Sequence, residues 1–145
     1  GSQTRFFSPT ADTTLTIPST ARSAITVGAY DPRLSSYASF SGRGYTRILH
    51  EIKPDLAAPG VNIPAPRSGG GYASFTGTSF ATPFVSGSAA LMMEWGILRG
   101  NDPFLYGEKL KAYLIAGAKP IASESEYPNR RGGWGRLCLE SSLPD

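Results

Sequence analysis

The residues best placed to do chemistry lie in Gly77-Thr78-Ser79-Phe80-Ala81-Thr82-Pro83-Phe84-Val85-Ser86-Gly87. Phe75-Thr76 approach as an extended pair, Gly77 permits a tight bend, and small residues then lead into Leu91, Met92 and Met93. That order predicts a loop turning sharply into a helix. A serine at such a turn has its own N–H among the unpaired donors of a helix N-terminus, where the aligned peptide dipoles stabilise an oxyanion. Ser79 is therefore the candidate nucleophile, with its N–H as part of an oxyanion hole. Pro83 is expected in the first helical turn, where a missing N–H removes no intrahelical bond. The competing reading is a plain helix cap, for which Thr and Ser are favoured.

Other reactive side chains have weaker settings. His50 is the single histidine; it has no motif to orient it as a base and is expected to be structural or exposed. Cys138, the one cysteine, sits between Leu137 and Leu139, a setting that predicts a buried structural thiol and excludes an internal disulfide. Asp31 precedes Pro32 and reads first as a turn former. Met92 and Met93 read as core filler.

Gly77 to Gly87 resembles the nucleophile motif of the subtilisin-like serine proteases. Lys53-Pro54-Asp55-Leu56-Ala57-Ala58-Pro59-Gly60-Val61 resembles the segment that precedes the serine in that family. Ala24 to Asp31, followed by Ser39-Phe40-Ser41-Gly42-Arg43-Gly44, supplies a third landmark in the expected order. The tail, with Tyr106 to Lys111 and Gly133-Trp134-Gly135-Arg136-Leu137-Cys138-Leu139, is similar to the clostridial branch that includes the Csp germination proteases. The resemblance implies an α/β fold: the later part of a subtilisin-like three-layer sandwich with a mainly parallel sheet, incomplete in this chain. It implies no cofactor. In related enzymes an aspartate matching Asp31 can help hold a weakly bound cation. Phe84 stands where many relatives have His, a departure expected to affect packing only.

The family's triad runs Asp, His, Ser, and the resemblance places the aspartate motif, the histidine motif and the oxyanion asparagine ahead of residue 1. Residues 1–145 are then expected to be the C-terminal portion of a catalytic domain, inactive alone. The implied partners are a protein or peptide substrate and the N-terminal portion of the same domain, with self-association of the uncovered surface. The alternative is a pseudoprotease or regulatory binding module derived from the same family. The resemblance implies a bacterial protein that is secreted or associated with the cell envelope or spore.

The elements that would position Ser79 follow from pattern. Thr13 to Ile17 suggests a strand, and Ala24 to Tyr30 a buried parallel strand. Ser35 to Gly44 reads as loop, Pro54 to Pro66 as extended chain with a turn at Pro59-Gly60, and Arg67 to Gly71 as a glycine-rich loop. Helices are expected over 79–95 and 103–116, the second presenting Leu110, Tyr113 and Leu114 on one face. Ser123 to Arg131 reads as loop, and Trp134 as structural. Composition is that of one globular unit, 40% hydrophobic with 17 Gly and 12 Pro, in which many turns are expected. Fourteen basic residues stand against 11 acidic ones without a basic stripe, arguing against nucleic acid. No apolar run approaches the roughly 20 residues of a membrane span, so no membrane partner is expected.

Overall fold

The computed structural model describes residues 6–143. Its central element is strand β1 (Val27–Asp31), paired in parallel with β3 (Leu56–Pro59) and antiparallel with the short β2 (Ser36–Tyr37). Val27 lies opposite Leu56 and Tyr30 opposite Pro59. Both long strands are apolar on each face, as expected of strands covered on two sides. Ala29, Leu56 and Ala58 enter the larger core, while Tyr30 and Ala57 pack with Ile121 on the other face. Beyond β3 the sheet is extended by 135–137, which exchanges backbone hydrogen bonds with Ala57. A separate hairpin pairs β4 (Ile63–Pro66) with β5 (Tyr72–Phe75) across the glycine-rich loop.

Helix α1 (Thr78–Met93) packs on β1 and β3 through a stripe of buried residues, Ala81, Val85, Ser88 and Met92. Their spacing is that of one helical face. One flank of the helix is open: Phe84 is 42% exposed and Leu91 55%. Phe84 therefore packs outside the core of this chain. One π-helical turn, Glu94–Leu98, closes α1. Gly96 is needed there, since a Cβ would meet the Asp102 carbonyl and Leu105 at 2.9 Å.

Helix α2 (Gly107–Ala116) buries Leu110 and Leu114 and ends at Gly117, and α3 (Leu139–Ser142) packs beside it. The start of α2 corrects the expected 103–116. Asp102 instead caps a separate turn, its carboxylate accepting the Phe104 N–H at 3.2 Å, so the chain turns once before the helix begins. Residues 13–17 are also corrected. Thr13 and Thr14 donate to the carbonyls of Gly44 and Arg43, yet no strand forms and Ile17 is exposed. β-Branched residues favour a pleated surface to pack on, and here the ladder stops after two bonds.

Gly133 closes the fold at φ +61°, where a Cβ would stand 2.1 Å from the Pro54 carbonyl oxygen. That close approach lets the Trp134 N–H bond the Asp55 carbonyl at 3.0 Å. The tail is thereby fastened to the start of β3.

Candidate active site

Ser79 lies in the first turn of α1. The helix start is fixed by two glycines pressed together: the Gly77 N–H donates to the Gly60 carbonyl at 2.8 Å. A Cβ on Gly60 would stand 2.6 Å from the Ala29 side chain, so the turn after β3 sits directly against β1. Phe75 and Phe80 stack at 5.0 Å across the same corner. This is how the sheet sets the position of the helix terminus.

The cap residue, Gly77, has no side chain to bond the first-turn donors, and no acidic residue stands in that turn. The Phe80 N–H is taken by the Gly77 carbonyl at 3.1 Å, while the Ser79 N–H has no acceptor among the described residues and the positive end of the helix dipole behind it, an arrangement suited to an anion or oxyanion. Pro83 departs from expectation. It is the sixth residue of the helix and not in its first turn, so its missing N–H leaves the Ser79 carbonyl without its usual partner four residues on.

Ser79 is exposed and lines a cleft of about 830 Å³. Thr78 and Thr82 stand beside it, with walls from Ser39 to Arg43, from Ala24 to Gly28 and from the irregular 14–19 segment. The Ser41 hydroxyl receives the Ala29 N–H at 3.0 Å, tying the two parts of the third landmark together.

The other reactive candidates are elsewhere. His50 is exposed in a turn at φ +50° and does not line the cleft. Asp31 turns its carboxylate on its own loop, accepting the Arg33 N–H at 2.8 Å and the Leu34 N–H at 3.4 Å. This is the turn chemistry its sequence setting implies. Cys138 differs from the expected buried thiol: it is partly exposed, and its sulfur lies 3.4 Å from the Ser141 hydroxyl. That hydrogen bond holds the thiol below its ordinary pKa. The charged cluster that sequence reading passed over is Lys53, Asp55 and Lys111, buried next to the cleft wall.

Comparison with known proteins gives the family. The sequence model described as "Subtilase family" matches residues 2–135. Among curated proteins, Serine protease AprX of Bacillus subtilis (strain 168) is 34% identical over 90% of this chain and 32% of its own length. Subtilisin BL of Lederbergia lenta is 39% identical over 78% of this chain and 37% of its own length. Among solved structures, the Clostridium perfringens CspB protease superposes with a TM-score of 0.90 at 48% identity, covering 96% of this chain and 29% of that one. The Prenylagaramide maturation protease PagA follows at 0.74 and 31%, covering 92% of this chain and 46% of that one. The chain spans about a third of the length of AprX and of CspB. A serine on an uncapped helix terminus, a cleft beside it and a family match over most of the sequence lead to one assignment: the chain belongs to the subtilase family of subtilisin-like serine proteases.

Proposed function

We propose that this chain is the nucleophile-bearing C-terminal portion of a subtilisin-like catalytic domain that cleaves peptide bonds, and that it is inactive by itself. The observation that carries the reading is Ser79, exposed on the uncapped first turn of α1 at the edge of an open cleft. In the proposed reaction the Ser79 hydroxyl attacks the peptide carbonyl while its backbone N–H helps hold the oxyanion. The proton passes to a histidine, oriented by an aspartate, that the N-terminal portion of the same domain supplies. A serine hydroxyl without such a base is a weak nucleophile at neutral pH.

The test is labelling with a fluorophosphonate probe, applied to this chain and to the full-length polypeptide. Labelling of the full-length protein but not of the isolated chain is expected. A folded full-length protein that stays unlabelled would overturn the protease reading in favour of a pseudoprotease that serves as a binding or regulatory module.

The same reading gives the open face of α1 a partner. Phe84 and Leu91 are exposed there, seven residues and so about two turns apart on one face, and an apolar face of this kind is ordinarily covered. In the full-length protein the N-terminal portion covers it; in its absence, self-association does. Sizing with light scattering is expected to give a mass above that of one chain, and a clean monomer would count against this assignment.

A further inference from the structure

Three charged side chains meet beneath the entry to β1. Lys53 is 2% exposed and Asp55 3%, and Lys111 reaches them from α2. The Lys53 Nζ lies 2.6 Å from Asp55 Oδ2, and the Lys111 Nζ 3.0 Å from Asp55 Oδ1. The ammonium groups give further N–H bonds to backbone. Lys53 donates to the Ala24 carbonyl at 2.7 Å, and Lys111 to the carbonyls of Arg22 at 2.8 Å and Ala24 at 3.3 Å. Asp55 Oδ2 also accepts the Thr26 N–H at 2.7 Å. The Thr26 carbonyl receives the N–H groups of Asp55 and Leu56, and its hydroxyl donates to the Ser19 carbonyl at 2.5 Å.

Burying charge is a poor way to gain stability, because desolvation offsets most of the attraction and apolar residues of similar size often do as well. What charge supplies that packing does not is direction: each N–H and each carboxylate oxygen selects one backbone atom. Every atom selected outside the cluster lies in residues 22–26. Ala24, Ile25 and Thr26, together with Ser19, line the cleft into which Ser79 opens. Helix α1 sets the position of the serine, and the lysine–aspartate cluster sets the position of the wall that shares its cleft.

We infer that Lys53, Asp55 and Lys111 form a positioning clasp that holds residues 22–26 in register with Ser79 and so governs how tightly a peptide is held against the serine. The inference rests on the reading that this cleft receives the peptide. Lys111 is the member to vary, since Lys53 remains to neutralise Asp55 when Lys111 is replaced.

In this chain, Lys111→Met is expected to speed amide exchange of residues 22–28 about tenfold or more, with the interior of α1 unchanged. Lys111→Arg should restore protection. In the full-length polypeptide the same variant is expected to raise KM for a peptide substrate about fivefold or more, while the labelling rate of Ser79 by a small fluorophosphonate stays within about threefold. Thr26→Val, which cuts the link to Ser19 and leaves every charge in place, should reproduce the KM effect if Lys111→Met does not fold. A uniform loss of protection across α1 and 22–28, or a fall in labelling that matches the loss of peptide hydrolysis, would mean bulk stability only and would overturn the clasp. So would unchanged exchange at 22–28. If wild-type full-length protein does not label at all, the substrate-holding half falls with the protease reading, and the exchange data still decide whether the clasp fixes the wall.

Discussion

Full-length protein carrying Ser79→Ala is expected to lose about six orders of magnitude in kcat against a peptide substrate, a magnitude taken over from the same removal in subtilisin, a member of this family. The substitution deletes one hydroxyl and leaves the fold alone: Ser79 is exposed, and Ala is a better helix former than Ser. The α1 terminus keeps its N–H groups and its dipole, so the oxyanion donor on residue 79 survives. What disappears is the covalent step. A residual rate about 10³ to 10⁴ above the uncatalysed reaction should therefore remain, supplied by binding and by the oxyanion donors. Progress curves for wild type and Ser79→Ala at matched melting temperature check this. A loss of only about tenfold would remove Ser79 from the role of nucleophile and leave it as part of a helix terminus that helps bind the substrate carbonyl.

The sequence carried the site's local geometry because that geometry is local. Gly77, the small residues after Ser79 and the apolar stripe on α1 lie within a few turns of one another, and each constrains the next. The buried strand from Val27 and the paired face of Leu110 and Leu114 were legible for the same reason: burial on both faces, or on one helical face, leaves a short-range pattern. Features set by distant contacts left no such pattern. Asp102 competes with the helix for its own backbone, so α2 begins at Gly107 and not at Pro103. The two threonines at 13 and 14 find only Arg43 and Gly44 to pair with, and a strand does not form. The π-helical turn after Met93 depends on how Gly96 meets Leu105. Lys53 and Asp55 read as part of a family landmark, and nothing near them announces Lys111, which joins them only because α2 folds back over the entry to β1.

Asp55→Asn should destabilise this chain by about 3–5 kcal/mol near neutral pH, the cost of leaving buried charge without its partner. Asn keeps the size and one acceptor for the Thr26 N–H, so the loss is electrostatic rather than steric. Two ammonium groups then share a buried site with only carbonyl dipoles to face them. The effect carries a pH signature. In the wild-type chain burial lowers the pKa of Lys53 below its ordinary 10.5, while the hydrogen bond and charge of Asp55 hold it up. Removing Asp55 takes away both supports and leaves desolvation, so the Lys53 pKa in the folded variant drops further. The unfolded chain then binds the proton more tightly than the folded one over a wider window below 10.5, and wherever the unfolded state holds more protons, stability rises with pH. Urea midpoints of wild type and Asp55→Asn at about pH 7 and about pH 9.5 should therefore converge as Lys53 gives up its proton. A deficit that stays constant between those two pH values would mean that Asp55 acts through packing and its hydrogen bond to Thr26, and that the charge of the lysines contributes nothing to holding the entry of β1.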